Sequence, residues 1–460
     1  MKVPPHVGNF SASDTIFAPA TPEGVSAVAV MRLSGPAAFD ITEKIFKPKG
    51  SRPLKSGTFP KVIYGEIRDG EEVLDEALVL AFRGPRSYTG EDVVEFQCHG
   101  SPYVMRRLGQ ILLEKGARTA EPGEFTRRAF FHGRLSLDQA EAVMDLIAAE
   151  TQAQQRMAMY QMRGGYAAQL RSLRQELVDL MALVELELDF SEEDVEFASR
   201  SKLERLLEDL MALAEKLRRS FASGQALRQG VPVAIVGAPN AGKSTLLNAL
   251  LQDDRALVSD VAGTTRDTVT DHLYIGGVKF QLVDTAGLRD TSDHIEAMGI
   301  ERSFKALEQA RIILWVFAPD ALLSADLSEK IRKTAAVTQA TVLRVWNKSD
   351  VTPPPDSNHF LAVSARLGKG VDGVREALIQ AVGVATSALA ETLANQRHYE
   401  ALGLALEAAA RAQNALKENW SGELLAFELR EVARHVGAIT GEVVTDEVLG
   451  AIFSRFCIGK

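Results

Sequence analysis

The sequence lacks the features that mark membrane, secreted or broadly nucleic-acid-coating proteins. Only two of its 460 residues are cysteine, so it predicts no disulfide framework. No apolar run approaches the roughly 20 residues of a membrane span, and the N-terminus shows no basic-then-apolar signal pattern. The formal net charge of −9 argues against a generally basic surface, although a local patch can still contact RNA. We therefore expect a cytoplasmic protein without a membrane span.

The chain is long enough for about two to four domains, and the secondary structure that its sequence pattern predicts changes along its length. Residues 1–133 combine short β-prone runs with turn signals such as Gly84-Pro85, which predicts an α+β domain. Residues 134–228 are helical in pattern, with apolar stripes from Leu170 to Leu188 and from Leu203 to Leu217 that we interpret as helix-bundle core. Residues 386–460 again show a helical pattern. We therefore predict one discontinuous helical bundle domain, with residues 229–385 inserted into it.

The inserted segment opens with a complete GxxxxGK[ST] phosphate loop, Gly237–Ser244. An apolar run, Val231–Val236, reads as a strand before it, and Thr245–Leu251 reads as a helix after it. This strand–loop–helix order is the context that the motif requires. Backbone N–H groups and the helix N-terminus cradle phosphates, Lys243 reaches the β and γ phosphates, and Ser244 ligates Mg²⁺.

Three further motifs in order predict a GTPase of the Ras-like P-loop class. Each follows an apolar run that predicts a strand: Val278–Val283, Thr341–Trp346 and Phe360–Val363, respectively. The first places a carboxylate near the metal, the second offers a carboxylate to guanine N1–H and its amine, and the third offers a backbone N–H to guanine O6. Adenine would leave the carboxylate of the second motif without these hydrogen-bond donors. The motifs are Asp284-Thr285-Ala286-Gly287, Asn347-Lys348-Ser349-Asp350 and Ser364-Ala365.

The residue after Gly287 is Leu288, where Ras-like GTPases carry a glutamine that orients the attacking water. A leucine cannot do this, so the protein either hydrolyses GTP poorly or recruits another group. The following segment offers several carboxylates, mainly Asp293, Glu296 and Glu301, most of which are surface charges in an ordinary loop. Thr264 and Thr265 lie where a switch loop contributes a hydroxyl to Mg²⁺.

Asn240 inside the phosphate loop has two interpretations. It is either a tolerated loop residue or an amide oxygen offered to a monovalent cation beside the phosphates. A K⁺ ion there would stabilise transition-state charge as an arginine finger does.

Taken together, the motifs identify a resemblance that spans the whole chain. The segments GAPNAGKS, GTTRD, DTAGLRD and NKSD, the N-terminal DTIFAPATPEG, RSYTGEDVVEFQCHG and EPGEFTRRAF, and the terminal FCIGK closely resemble the MnmE (TrmE) family of tRNA-modification GTPases. The resemblance implies an N-terminal folate-binding and dimerisation domain, a discontinuous helical domain and an inserted G domain. The fold class is thus multidomain, α/β plus all-α.

The resemblance also implies partners and chemistry. The family forms homodimers and a heterotetramer-type complex with an FAD-dependent MnmG (GidA) flavoprotein. Together they add a carboxymethylaminomethyl group at C5 of the wobble uridine of certain tRNAs. The one-carbon unit comes from a tetrahydrofolate derivative, 5-formyl- or 5,10-methylene-tetrahydrofolate, and GTP hydrolysis depends on K⁺ and Mg²⁺.

The family roles fall on matching positions of this chain. Glu296 matches the glutamate that orients the water, with Lys243 and Asn240 as the other predicted catalytic residues. Ser244 and Thr265 are the predicted Mg²⁺ ligands. Asn240, Ser259, Val261 and Thr264 are the predicted K⁺ site. The predicted GTP-binding residues are Asn240, Ala241, Gly242, Lys243, Ser244, Thr245, Ser259, Thr264, Thr265, Asp284, Thr285, Ala286, Gly287, Asn347, Lys348, Asp350, Ser364 and Ala365.

For the folate, the matching positions are Arg32, Glu95, Arg134 and Lys460. Cations pair with the cofactor's carboxylate tail, and a carboxylate bonds the pterin edge. Some relatives carry lysine at the Arg134 position, and a guanidinium is not equivalent to an ammonium. Cys457 in the terminal motif is either a catalytic thiol or a packing residue.

Two questions stay open at this point. The rival function is a GTP-dependent assembly factor, such as a ribosome-maturation switch, in which hydrolysis only times release; the N-terminal segments and the terminal FCIGK favour tRNA modification. The pairs Arg106-Arg107 and Arg127-Arg128 are either tRNA contacts or solvated surface charges.

Overall fold

The computed structural model describes residues 14–50, 54–189, 199–251, 272–283, 307–321, 325–382 and 391–460. The chain divides into two compact units. Unit 1 comprises the residues through Met144, Gln161–Met211 and Leu404–Lys460, and unit 2 comprises Asp145–Tyr160 and Ala212–Gly403.

Unit 1 contains a seven-stranded sheet in the order β3-β4-β5-β6-β2-β1-β7. Its neighbours pair antiparallel except β1 with β7. Helices α1 and α2 cover one face, where Ile41, Ile45, Leu108 and Ile111 are buried against the sheet. The strands are β1 (Ile16–Pro19), β2 (Ser26–Ser34), β3 (Phe46–Pro48), β4 (Lys61–Asp69), β5 (Glu72–Phe82), β6 (Val93–Gly100) and β7 (Arg118–Thr119).

The opposite face of this sheet carries exposed apolar side chains, because successive residues of a strand point to opposite faces. Val62, Tyr64 and Leu78 are exposed, whereas their neighbours Ile63 and Val79 are buried. The register places Val62 beside Leu80, Leu80 beside Glu95, and Glu95 beside Arg32. We call this surface the open sheet face; it runs from apolar residues on β4 to a charged pair on β2 and β6.

The helices are α1 (Ala38–Ile45), α2 (Pro102–Glu114), α3 (Glu124–Phe131), α4 (Leu137–Ile147), α5 (Gln152–Met162), α6 (Gly165–Asp189), α7 (Arg200–Gln229), α8 (Lys243–Leu251), α9 (Ala325–Thr338), α10 (Val371–Val382), α11 (Gln396–Lys417), α12 (Gly422–Thr440) and α13 (Asp446–Phe453). Within unit 1, α6 packs on α12, where Arg174 Nε donates to Ala433 O at 2.9 Å. Leu137, Leu449, Phe453 and Phe456 form a smaller core that joins α4 to the C-terminal tail. Among the described residues, no helix has the length and apolarity to cross a membrane.

Unit 2 is built on a six-stranded sheet in the order β13-β12-β11-β8-β10-β9, parallel except for β9. Helices cover both faces: α8 and α10 contribute Leu246, Leu250 and Leu378 to one core, and α9 contributes Ile331 to the other. The strands are β8 (Val231–Gly237), β9 (His272–Ile275), β10 (Val278–Val283), β11 (Ile312–Phe317), β12 (Thr341–Trp346) and β13 (Leu361–Ala362).

Most elements predicted from the apolar patterns are confirmed. The strands predicted at Val278–Val283 and Thr341–Trp346 have those bounds, and both leucine stripes lie on long helices, α6 and α7. The run Phe360–Val363 forms a strand of only two residues, since a strand at the sheet edge pairs on one side only. The four-part domain division stays a prediction; the compact units instead group residues 145–160 with the nucleotide-type sheet.

Candidate functional site

The phosphate loop of unit 2 lies at the end of β8, between β10 on one side and β11 on the other. The carboxyl ends of parallel strands meet at one edge, and ligands bind where the strand order reverses. In this sheet the reversal falls at β8, because β10 lies on one side and β11 to β13 continue on the other. The Asn347 and Ser364 motifs follow β12 and β13 at the same edge.

The loop needs unusual backbone geometry at two positions. Asn240 has φ +62° and Gly242 has φ +85°, both in the left-handed region. A Cβ on Gly242 would lie 2.2 Å from Nδ2 of Asn347. Glycine is therefore required at position 242 both for the turn and for the close approach of Asn347.

Lys243 begins α8 and folds back over the loop. Its Nζ donates to Gly237 O at 3.0 Å and to Ala238 O at 2.9 Å. Burial lowers the pKa of this ammonium below its usual value. A partly desolvated cation held only by neutral carbonyls favours an incoming anion, which is the requirement for binding phosphate.

Asn347 joins the phosphate loop to the loop after β13. Its side chain is buried, with 3% exposure. Nδ2 donates to Ala241 O at 2.9 Å, and Oδ1 accepts from Ala365 N at 3.1 Å. One amide therefore satisfies backbone groups of two different motifs, and it fixes their separation.

The base-recognition residues lie around this bridge. Asp350 is exposed, and the nearby Ser364 hydroxyl is the leading cause that lowers the pKa of its carboxyl. It is therefore ionised and ready to accept hydrogen bonds. Lys348 has φ +57° and donates to both carboxylate oxygens of Asp320, at 2.8 and 2.7 Å. Ser364 N donates to Lys369 O, which closes the loop that presents the Ala365 N–H.

Several predicted site residues lie outside the described residues. They are Ser259, Val261, Thr264, Thr265, Asp284, Thr285, Ala286, Gly287 and Glu296, together with the alternatives Asp293 and Glu301. Their roles remain predictions. The described residues Asn240 and Thr245 are exposed, and Ser244 is half-buried at the start of α8.

A second group of predicted site residues lies in unit 1, where β2, which pairs with β6, contacts Gly459. Arg32 and Glu95 are directly opposite on β2 and β6, and Arg32 Nε donates to Glu95 Oε1 at 2.8 Å. The same guanidinium donates through Nη1 to Gly459 O at 3.2 Å. Its Cζ lies 5.2 Å from the ring centroid of Tyr88 and 5.5 Å from that of Phe125. Contacts of this kind hold a guanidinium in one orientation.

The C-terminal residues complete this group. Gly459 has φ +99°, and a Cβ there would lie 2.1 Å from Pro19 O, so only glycine fits against β1. Lys460 follows it. Burial, and then the charge of Arg32, lower the pKa of Lys460, while Glu95 opposes that effect. The structure therefore brings together three of the four predicted folate residues, with a surplus of positive charge.

Arg134, the fourth predicted folate residue, is not in contact with this group through any described hydrogen bond. Its Nε donates to Ser87 O at 3.1 Å, next to Tyr88. Arg134 and Arg32 thus contact neighbouring residues, Ser87 and Tyr88. Cys457 is exposed, and its carbonyl accepts from Lys460 N at 3.3 Å, which leaves both interpretations of its thiol open.

Sequence reasoning missed the buried ionic network beside Phe125. Arg128 is fully buried and donates to Asp14, Glu91 and Glu124. Burial opposes ionisation of Glu124, but Arg118, the Glu121 N–H and Arg128 lower its pKa to about 2. Both interpretations of Arg128 as a surface or tRNA-contacting residue are therefore wrong. The motifs that contain these residues are visible in the sequence, but a pairing across 114 positions is not.

Comparisons with known proteins cover nearly the whole chain. Residues 15–134 match the family model "GTP-binding protein TrmE N-terminus", and residues 137–457 match "MnmE helical domain". Three curated relatives carry the name tRNA modification GTPase MnmE. Those of Bacteroides thetaiotaomicron and Bacteroides fragilis are 46% and 45% identical over 465 residues, and that of Christiangramia forsetii is 42% identical over 473. Each alignment covers 97% of this chain and 99% of the relative.

Solved structures also match in part. One of them is an Era variant of Aquifex aeolicus bound to GDP and AlF4⁻, 24% identical, with 38% of this chain and 65% of that chain covered. Its TM-score is 0.24, so the likeness carries no argument. The two family models and the curated relatives, together with the two sheets and the helices described above, confirm the predicted fold class.

Proposed function

The chain belongs to the MnmE family of tRNA modification GTPases, and from this membership we propose its more specific activity. It is a GTPase that acts in tRNA modification. We propose that its hydrolysis of GTP depends on K⁺. We further propose that, with an FAD-dependent MnmG-like partner, it adds a carboxymethylaminomethyl group at C5 of the wobble uridine using a tetrahydrofolate one-carbon unit.

The observation that carries the proposal is the convergence of Arg32, Glu95 and Lys460 on one end of the open sheet face. A hydrogen bond joins Arg32 to Gly459, 427 positions apart, so residues of the FCIGK segment lie beside this sheet. Two cations and one carboxylate match a ligand with an acidic tail and a polar ring edge. The lowered pKa of Lys460 fits such a ligand, because an anion would restore the favoured ammonium.

In this proposal each residue has a defined task. Lys460 and Arg32 bind the carboxylate tail, and Glu95 accepts from the pterin edge while it orients Arg32. Tyr88 and Phe125 hold the guanidinium from its two sides. Arg134 binds a more distant part of the ligand. The bound tetrahydrofolate derivative, 5-formyl or 5,10-methylene, supplies the one-carbon unit.

The nucleotide site fits a Mg²⁺-bound guanine nucleotide. Lys243 transfers its two hydrogen bonds from loop carbonyls to phosphate oxygens, and Asp350 selects guanine. Ser244 and Thr265 are the proposed Mg²⁺ ligands, and Mg²⁺ and K⁺ supply positive charge against the phosphates. We propose that Asn240, exposed at the loop tip, contributes its amide oxygen to K⁺ with Ser259, Val261 and Thr264. Glu296 orients the water in place of the missing glutamine.

The open sheet face supports a homodimer through the N-terminal part. Val62, Tyr64 and Leu78 form an exposed apolar group on one face, and a second copy would bury it. Val25 and Val28, which are 90% and 55% exposed, precede and begin the strand that carries Arg32. We also propose the domain division 1–133, 134–228, 229–385 and 386–460. The flavoprotein complex and the cytoplasmic location remain predictions.

The test is the binding of 5-formyl-tetrahydrofolate to the full-length protein as a function of pH. Affinity depends on protonated Lys460, whose pKa lies below the usual 10.5, so we expect binding to weaken as pH rises through that lowered value. Lys460→Met is expected to bind weakly and to lose the pH dependence above neutrality. Lys115→Met, which changes an exposed lysine at the end of α2, serves as the matched control. Equal affinity of both variants at all pH values contradicts the proposed site.

A further inference from the structure

The segment between α4 and α5 makes contacts that the proposed function does not use. Glu150 lies in this connection and accepts two hydrogen bonds from the β9–β10 hairpin of unit 2. Tyr274 Oη donates to its Oε2 at 3.0 Å, and Lys279 Nζ donates to the same oxygen at 2.5 Å. Tyr274 and Lys279 are directly opposite each other in the antiparallel register. One carboxylate therefore contacts both strands of the hairpin, at a single pair of facing residues.

The backbone of Glu150 is also fixed by a network of hydrogen bonds. Thr151 and Gln154 form a capping box at the start of α5, in which Gln154 N donates to Thr151 Oγ1 at 3.2 Å and Thr151 N donates to Gln154 Oε1 at 3.0 Å. The same Oε1 accepts from Glu150 N at 2.7 Å. Glu150 is thus held at its backbone as well as at its carboxylate.

The amide nitrogen of Gln154 extends this network to the strand that carries the phosphate loop. It donates to Leu227 O at 3.0 Å and to Arg228 O at 3.2 Å, two of the carbonyls that end α7. Only Gly230 separates α7 from β8. In addition, Arg228 pairs with Asp145 at 2.7 Å. The segment 145–160 therefore holds the beginning of β8 and the β9–β10 hairpin at the same time.

Apolar packing supports the same arrangement. Ala153, in the first turn of α5, is buried in the core that contains Val231 and Phe280. A Cβ on Gly277, in the turn of the hairpin, would lie 3.9 Å from that of Ala153. Residues 145–160 thus pack as part of unit 2, in agreement with the grouping of the chain.

The position of the hairpin in the chain makes this contact relevant to hydrolysis. Strand β10 pairs with β8 and ends at Val283, so the next residue is Asp284. A movement of β10 relative to β8 would displace the end of β10, and with it the start of the predicted Asp284 motif, relative to β8. The contact with Glu150 opposes such a movement. It involves a largely buried ammonium, since Lys279 is 14% exposed, and a carboxylate that is 49% exposed.

We propose that Glu150 is a positioning residue of the GTPase reaction, which fixes the β9–β10 hairpin to segment 145–160 and so holds the end of β10, at Val283, in place relative to β8. The proposal rests on the role proposed for Asp284 in the nucleotide site. Glu150 does not touch the nucleotide in this account. Its effect is on the turnover of bound GTP and not on binding.

The experiment measures kcat and KM for GTP with the full-length protein in K⁺ and Mg²⁺. Glu150→Gln is expected to lower kcat about threefold to fivefold, the range of a partly exposed ion pair, with KM within about twofold of the parent value. Tyr274→Phe, which removes only a hydroxyl, is expected to lower kcat less and in the same direction. The matched control is Glu329→Gln, which breaks an exposed ion pair with Lys333 on α9 and should leave kcat unchanged.

A charge exchange separates positioning from a general loss of stability. The double variant Glu150→Lys, Lys279→Glu restores an ion pair of reversed polarity, and we expect its kcat to return to within about twofold of the parent. A kcat for Glu150→Gln equal to that of Glu329→Gln overturns the proposal, as does a double variant no better than the single ones. Asp284→Asn separates the two hypotheses. If this variant hydrolyses GTP normally, the proposed nucleotide site is wrong. If it loses hydrolysis while the Glu150 variants hydrolyse GTP normally, only the positioning role is refuted.

Discussion

Replacement of Asn347 by aspartate tests the structural bridge between the phosphate loop and the base-recognition loops. Asn347→Asp keeps the shape of the side chain and the acceptor for Ala365 N. It removes the donor to Ala241 O and places a carboxylate oxygen 2.9 Å from that carbonyl. Ala241 is fully buried and Asn347 nearly so, which leaves little access for a replacement water.

The size of the effect follows from the group left without a partner. A buried acceptor that loses its donor costs about 1–3 kcal/mol, and repulsion between the two oxygens adds to this. Because about 1.4 kcal/mol corresponds to a factor of ten, GDP should bind about 10- to 100-fold more weakly. The stabilisation of the protein by saturating GDP should fall by about 1.4 kcal/mol for each tenfold loss of affinity.

The assay is equilibrium titration with a fluorescent GDP analogue, combined with thermal unfolding with and without GDP. Asn358→Asp, a matched change at an exposed position of the loop between β12 and β13, should bind GDP as the parent does. If Asn347→Asp binds GDP within about threefold of that control, the bridge does not organise the site and the reasoning is wrong.

Three further predictions concern catalysis and acid stability. GTP hydrolysis should be much faster in K⁺ than in Na⁺; equal rates would rule out a cation site at Asn240. Glu296→Gln should keep nucleotide affinity and lower kcat by about 10² to 10⁴, the usual contribution of a group that positions or activates the reacting water, and a loss below tenfold would point to another residue. Burial opposes ionisation of Glu124, but its hydrogen bonds with Arg118 and Arg128 stabilise the carboxylate and lower its pKa from 4.5 to about 2. Its contribution to stability is therefore complete above pH 4.5 and is lost as pH falls towards 2, by about 3 kcal/mol in total. Acid unfolding followed by circular dichroism should show this slope, and Glu124→Gln should abolish it.

The nucleotide unit could be predicted from sequence because its signals are local. An apolar run, a glycine-rich loop and a helix start are adjacent in the chain, and their order implies one sheet edge. The bounds of β10 and β12 followed from the same runs. The bridge of Asn347 to Ala241 spans 106 positions, however, and only the folded chain shows it.

The N-terminal site was predictable only in part, for the same physical reason. The strands of its sheet follow from alternating apolar residues, but the strand order does not. Arg32 appears in the sequence as a surface charge after a strand, whereas in the structure it is held by Glu95, Gly459 O and two aromatic rings. Long-range pairs of this kind depend on the tertiary structure. Family resemblance identified these positions, and the fold brings Arg32, Glu95 and Lys460 near one another.

The capping box at Thr151 and Gln154 is a different case. The T-x-x-Q pattern is visible in the sequence and predicts the start of a helix. The Gln154 amide also donates to a carbonyl in the last turn of α7, Leu227 O, and this contact spans 73 positions. This local signal was not among the predictions, and the contact with α7 appears only in the folded chain.

The most direct test of the central claim is mass spectrometry of wobble-uridine nucleosides from a bacterial strain that lacks its own MnmE. The account predicts that this chain restores the carboxymethylaminomethyl nucleoside, that Arg32→Ala restores little or none while it still hydrolyses GTP, and that Lys115→Met restores it fully. Restoration by Arg32→Ala to the level of the parent chain, or no restoration by the parent chain together with its MnmG-like partner, would contradict the account.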